Sequence, residues 1–392
     1  MHKINSVVAA LSLLSLAHAQ AETKTMEPIT RVAHPDLSGT AAFVRVADGP
    51  LFFSSHVFAR DVTLDARGQA VQALDALGVE LGKVGGDLSR IIRLNAYVAS
   101  ESDTEAVEAA IAARFAAHPP ALTLVATPLV VANARVAFDV VAAVSPAPAP
   151  AAVAWTESGG VLPAGAKVFL SGQVERGDNL VSSVRRTMEG LHQTNAGLGL
   201  AKTDVVQIKV FMQPFAEHPI AVREIAATFE GGRTPPIIVM QWTSNNPVEI
   251  EMVVSGAAIR PAPSVPLSFP PLAGKPDSPR YSHIAVVAAG TPLIFLGGLN
   301  TGPGVAHREQ WKQIFERLGS TLYEAGSSFR HLVKATYYVT ESPARGVLNE
   351  IRAVYYDPAR PPAASAVGVK SVGRPDRAWH IDLIAIPHPG PR

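Results

Sequence analysis

The chain of 392 residues contains no cysteine. That absence excludes disulfides, a thiolate metal centre and lipid attachment at an N-terminal leader. Charge is scarce too: charged residues make up 17% and the formal net charge is +1. No basic run or dense Lys/Arg stripe occurs, which argues against a strong nucleic-acid footprint and leaves only a weak or transient RNA contact open. Beyond the N-terminus no stretch stays apolar for the roughly 20 residues that span a bilayer, so a soluble mature protein is expected. The 12 histidines form no HExxH and no tight cluster with Asp. Walker loops and strand-linked GxGxxG turns are missing as well. No metal and no cofactor are therefore expected. Trp242, Trp311 and Trp379 are scattered and read as core or rim, without the basic interleaving of a single-strand binder.

Hydrophobic residues, by contrast, make up 47%, enough for several cores, and the length suggests two to four domains. The first 21 residues read as a secretory signal. His2 and Lys3 give a polar start, Val7 to Leu16 an apolar core, and Ala17-His18-Ala19 the small residues a signal peptidase reads. Cleavage after Ala19 and after Ala21 are equally defensible. A periplasmic or secreted protein is expected; the plainer alternative is an N-terminal helix of the first domain.

The last third of the chain occurs, in weakened form, twice before it. Leu332 to Val339 reads LVKATYYV and is followed by a helical segment, PPAASAVGV and the acidic strand WHIDLIAI. The second copy runs VVQIKVFM, EHPIAVREIAATFEG, PPIIVMQW and VEIEMVV; the first runs IIRLNAYV, TEAVEAAIAARFAAH, PPALTLV and VAFDVVAAV. Tyr97, Phe211 and Tyr338 keep step, as do Asp139, Glu251 and Asp382. The spacing of about 120 residues marks duplicated domains, since solenoid repeats are only roughly 20 to 50 residues long. The three acids suggest a shared structural duty, such as bonding a backbone amide.

Units are expected over 28–145, 153–260 and 278–388. Two proline-rich runs, 145–152 and 260–279, separate them; proline fixes φ and removes donors, so both read as spacers that join no sheet. Within each unit the periodicity alternates as ββαβαββ. Trp311, Ile314, Phe315, Leu318 and Leu322 fall at helical spacing over 307–325, and the corresponding first helices are expected at about 66–83 and 182–198. Mixed strands with two helices on one face make an α+β layer.

This order, with PRYSH (Pro279 to His283), FLSGQV (Phe169 to Val174) and PPAASAVGV (Pro361 to Val369), resembles the RidA family, also called YjgF or endoribonuclease L-PSP. The resemblance covers three tandem units. It is best in the third and most drifted in the first, where Ser54-Ser55-His56 stands for SGQ. It implies a chorismate-mutase-like α+β fold whose subunits trimerise around a central barrel, with a small pocket at each boundary. Three such units in one chain would close an intramolecular pseudo-trimer and leave the chain a monomer. The alternative is three beads that trimerise separately with other chains.

In deaminating family members an arginine on the strand matching PPAASAVGV grips the substrate carboxylate, a task that suits a planar guanidinium fork. Here that position is Ala364, Leu122 and either Ile237 or Ile238. Arg233 lies just upstream in the second unit, where it reads either as a substitute or, more simply, as a solvated loop residue. The resemblance assigns a pocket role to Tyr281, Gly298 and Asn349, with Glu108 and Arg223 at the asparagine position of the other units. It further places Ser171, Gly172 and Gln173 at the family's SGQ. The water-activating glutamate corresponds to Glu249, with Ala137 and His380 in the other copies. The plainer readings are capping or packing for Tyr281 and Asn349 and a β-bulge for the two glycines. The expectation is an exported protein that binds a small metabolite, a carboxylate or an imine, at unit boundaries with lost or altered imine deaminase activity. The alternative is an active hydrolase of 2-iminopropanoate or related enamines. Nothing in the residues independently supports RNA cleavage.

Overall fold

The computed structural model describes residues 29–299, 306–340, 342–374 and 377–388; the expected leader lies outside them. Unit 1 comprises β1 (Ile29–Ala33), β2 (Ala41–Val46), β3 (Leu51–Ser54), β4 (Val57–Phe58), α1 (Ala66–Lys83), β5 (Ile91–Val98), α2 (Thr104–Phe115), β6 (Ala121–Ala126) and β7 (Val136–Ala143). Unit 2 adds β8 (Ala154–Trp155), β9 (Gly159–Leu162), β10 (Lys167–Gln173), α3 (Leu180–Gly197), β11 (Val205–Met212), α4 (His218–Ala226), β12 (Ile237–Gln241) and β13 (Val248–Ser255). After β14 (Leu267–Ser268), unit 3 contributes β15 (Ile284–Val287), β16 (Leu293–Leu299), α5 (His307–Glu324), β17 (Leu332–Val339), α6 (Ser342–Tyr355), β18 (Ala363–Gly368) and β19 (Trp379–Ala385). The α+β order ββαβαββ thus recurs three times.

Local chemistry sets the helix starts. Asp65 accepts a hydrogen bond from the Gly68 amide at 2.7 Å ahead of α1, and Asn179 and Ser182 form a reciprocal capping box ahead of α3, satisfying amides that lack helical partners. In α1, Ala70, Ala73, Leu74, Leu77 and Leu81 form one buried stripe, the spacing of a helix that covers a sheet. Strands β5, β11 and β17 are buried at all eight positions. One face of each meets helices and the other meets the centre of the molecule, so alternation along a strand separates two interiors.

Strand pairs join the units in turn. β3 of unit 1 pairs with β9 of unit 2, β10 of unit 2 with β15 of unit 3, and β16 of unit 3 with β2 of unit 1. Register shifts recur at the same place in β5, β11 and β17. There Ile92, Val206 and Val333 enter a central cluster with Phe53, Phe169 and Phe295. A bulge re-aims a side chain without ending the strand. Asp48 of unit 1 ties the three units together, accepting from Lys167 at 2.5 Å and from the Gly165 and Gly290 amides.

The recurrent acids do not bond backbone amides, contrary to expectation; they take side chains. Asp382 of unit 3 pairs with Arg93 of unit 1 at 2.6 Å, and Glu251 of unit 2 pairs with Lys334 of unit 3 at 2.5 Å. Asp139 accepts from Asn95 and Tyr97 of its own unit. Gln207, which corresponds to Arg93 and Lys334, donates across the boundary to the Ser54 carbonyl. Burial pushes the Glu251 carboxyl up, but the Lys334 and Lys209 ammonium groups outweigh it and hold the group below the usual carboxylate range.

The second proline-rich run also departs from expectation. Leu267 and Ser268 pair antiparallel with Val287 and Val286, because the stretch between Pro266 and Pro270 keeps its amide hydrogens and lies along the edge of β15. Among the described residues no helix is long and apolar enough to cross a membrane.

Removing one partner of a buried pair leaves an unpaired charge and costs about 3–5 kcal/mol, whereas an exposed pair contributes about 0–1 kcal/mol. Arg93→Ala is therefore expected to lower stability by about 3–5 kcal/mol, and Asp75→Asn, which breaks the exposed Arg114 pair, by less than about 1 kcal/mol. Chemical denaturation of both variants checks this; equal losses would contradict it.

Candidate active site

Unit 2 supplies one wall of a cavity of about 380 Å³. The ladder between β10 and β13 slips between Leu170 and Gln173, and the bulge brings the Gly172 backbone against Glu249. A Cβ on Gly172 would lie 1.9 Å from the Glu249 carboxylate oxygen, so any larger residue there would push that carboxylate aside. Trp242 and Asn246, which lie beyond β12, extend this wall.

Unit 3 supplies the opposite wall. Ser282 fixes the PRYSH segment onto the strand-entry prolines, its amide donating to the Pro362 carbonyl at 2.9 Å and its hydroxyl to Pro361 at 2.7 Å. Tyr281 and His283 flank it in edge-to-face contact, their centroids 5.2 Å apart. Partial burial lowers the His283 pKa. α6 presents Asn349 and, one turn later, Arg352, while β18 presents Ala364, Ser365 and Ala366. The second proline-rich run closes the rim through Leu272 and Lys275, the latter paired with Glu175 at 2.5 Å.

Ser365 connects the cavity to the interior. Its hydroxyl accepts from the Gly172 amide at 3.0 Å and donates to Glu251 at 2.6 Å. A chain of donors therefore runs from the pocket floor to the buried Glu251–Lys334 pair, and such chains are rigid when each member is satisfied.

The structure brings together Glu249, Gly172, Gln173, Tyr281, Asn349 and the arginine-lacking position Ala364. Two residues expected in that pocket lie elsewhere. Ser171 is fully buried and does not line the cavity, its amide donating to the His283 carbonyl at 2.9 Å. Gly298 sits at the boundary of units 3 and 1, with φ +64° and His34 and Leu37 as its neighbours. The reason is geometric: Gly298 corresponds to Gly172, and matching residues of successive units face successive boundaries. Strand register also corrects the equivalence in unit 1. Val57 opposes Phe138 as Gln173 opposes Ile250, so His56, not Ser55, takes the place of Gly172. Arg233 is exposed and does not line the cavity.

Neither other boundary repeats the arrangement. Between units 1 and 2, Ala137 replaces the glutamate and His56 is packed edge-on against Tyr97 at 4.9 Å; burial takes its pKa down to about 4. Between units 3 and 1, His380 replaces the glutamate, and burial takes its pKa down to about 3. Nearby, Glu108 is paired with Arg374 and Leu122 takes the arginine position. Sequence reasoning missed Arg352, Ser365 and His283. Arg352 was within reach of it, since residues three apart share a helix face and Asn349 was already singled out. Among the described residues no group of three or more His, Asp or Glu could hold a metal ion.

Fold and cleft together define an α+β protein built from repeated units, with a polar cavity where one unit meets the next. The sequence profile described as endoribonuclease L-PSP matches residues 40–144 and 276–387, more than half of the chain, and the chain belongs to that family, the one also called RidA or YjgF. Residues 153–260 fall outside both matches yet keep the same order of elements. A RutC family protein of Synechocystis is 34% identical over 77 residues, which span 20% of this chain and 58% of that protein's length. A YjgF family protein of Neisseria meningitidis is 26% identical over 32% of this chain and 97% of its own, with a TM-score of 0.24. For a YjgF/YER057c/UK114 family member from Mycobacterium tuberculosis the values are 24%, 30%, 100% and 0.23.

Gly172→Ala is expected to displace the Glu249 carboxylate and to cost about 1–3 kcal/mol, the usual penalty of overpacking. Glu249→Ala should relieve much of that cost, so a double-mutant cycle monitored by thermal unfolding should give coupling above about 0.5 kcal/mol. Strict additivity would show that the two residues do not meet.

Proposed function

We propose that this chain binds one small metabolite between units 2 and 3 and hydrolyses imines there only weakly compared with arginine-bearing family members. One observation carries the reading: Glu249 from one unit and Tyr281 and Asn349 from the next line a single cavity, and neither other boundary has a carboxylate at the Glu249 position. Imine hydrolysis adds water to the C=N carbon, moves a proton to nitrogen and releases ammonia from the resulting carbinolamine, leaving a ketone. Glu249 is suited to take the proton from water and return it to the departing nitrogen. It is mostly shielded from solvent, at 8% exposure, whereas Glu175, the other carboxylate of the lining, is held by Lys275 at the rim.

The weakness toward 2-iminopropanoate stems from Ala364, which leaves no guanidinium on the strand to hold so small an acid. A charge-assisted hydrogen bond contributes about 1.5–3 kcal/mol, so losing the strand arginine's fork lowers turnover of 2-iminopropanoate at least about tenfold. Glu249→Gln is expected to remove the remaining turnover, a loss of about 10²-fold or more for a positioned base. Ammonia release under steady-state conditions measures both. Wild-type turnover equal to that of an arginine-bearing family member, or full activity in Glu249→Gln, would reject the proposal.

The same reading takes the chain as an exported monomer, its units closing on one another through the three strand pairs. Light scattering of native protein should give the mass of one chain, and mass spectrometry should find it beginning at Gln20 or Glu22. A trimer of chains, or an intact Met1, would count against it.

A further inference from the structure

The cavity keeps a guanidinium although its strand has lost one. Arg352 of α6 lines the cavity and is 5% exposed. Its guanidinium lies 4.9 Å above the Tyr337 ring, a stacking that fixes the plane of the fork. One terminal nitrogen donates to Asn349 Oδ1, the other reaches the Arg280 carbonyl at a long 3.4 Å, the Tyr337 hydroxyl also lies within hydrogen-bonding reach, and the buried Nε has no acceptor. Among the described residues Arg352 has no carboxylate partner. A buried cation is costly unless it is paired, and an arginine fork presents five donors in one plane. The unmet capacity is that of an anion site. Asn349 holds the fork in place while its own amide group remains available to donate.

The rest of the lining says what the anion carries. Ala364 and Ala366 leave open the space beside the strand, and Trp242, Leu272 and Tyr281 add apolar surface. A cavity of about 380 Å³ falls in the range of clefts that enclose drug-sized molecules, far more than a three-carbon acid fills. Glu249 stands on the opposite wall, in unit 2. We infer that Arg352 has taken over carboxylate recognition from the strand, and that the pocket selects 2-imino acids, and their 2-oxo products, bearing a large apolar side chain. The inference rests on the cleft beside Glu249 being the binding pocket, but it concerns binding rather than turnover.

The test is isothermal titration of the full chain with phenylpyruvate, pyruvate and the neutral amide of phenylpyruvate. Wild-type protein should bind phenylpyruvate more tightly than pyruvate and at least about tenfold more tightly than the amide. Arg352→Gln should lose that preference for acid over amide, by about tenfold to a hundredfold, while Arg352→Lys should retain part of it. Circular dichroism and thermal midpoints establish that the variants are folded, and the acid-to-amide ratio is a readout that a purely structural role would not move. An unchanged ratio in Arg352→Gln, equal binding of acid and amide by the wild type, or no binding of any 2-oxo acid would overturn the inference. Glu249→Gln separates the two claims: it should abolish turnover, while the drop in acid preference on Arg352→Gln should persist in its background. A wild-type chain that hydrolyses a neutral imine yet ignores the acids would retain the proposed function and strip Arg352 of carboxylate recognition.

Discussion

No unit satisfies its own sheet. β2, β3 and β10 each carry a row of backbone donors and acceptors that only a strand of another unit completes, and a buried backbone group without a partner costs as much as a lost hydrogen bond. An open edge of this kind is also a template for aggregation. Pairing each edge with the next unit answers both problems and shapes the whole interior. It brings three strand faces to one centre, buries their polar side chains there, and places the end of β10 against β18 of the next unit. The cavity is a by-product of that seam.

Burying polar strand residues at the centre requires partners, and the partners come from across the seams. Arg93 reaches Asp382 and Lys334 reaches Glu251, so the interior is held by pairs that neither unit could form alone. Such pairs add little net stability over a well-packed apolar core, and removing one member is what costs. Their value here is register. Because Ser365 links Glu251 to the Gly172 amide, a slip of the seam by one residue would also dismantle the wall against which Glu249 lies.

Much of this was readable from the chain itself. Helical spacing gave α5 through Trp311, Ile314, Phe315, Leu318 and Leu322, and the recurrence gave the order of elements in all three units. What could not be read was which copy faces which. Aligning copies shows that Gly172 and Gly298 are alike; it does not show that they sit at different boundaries, because that depends on the path of the chain through three dimensions. The acids at 139, 251 and 382 stood out by recurrence, but their partners did not, since Arg93 and Asp382 are far apart in sequence and belong to different copies. Ser54-Ser55-His56 looks like Ser171-Gly172-Gln173 by residue type, but strand pairing sets Phe53 level with Phe169 and so His56 level with Gly172. Arg352 was not legible from the strand motif, because it stands on α6 beside β18, where the strand guanidinium is absent.

In a ring of three identical chains, each change in the gene appears at every interface at once, so a substitution that improves one pocket must be tolerated in all three. Here the three boundaries are encoded separately. A histidine could enter at position 56 and a leucine at 122 without touching the cleft that holds Glu249. The three boundaries accordingly differ: one is filled by His56, one holds the paired Glu108 and Arg374 beside a cavity of its own, and the third holds Glu249. Division of labour among corresponding surfaces is open to a chain that encodes each unit separately and closed to a symmetric assembly.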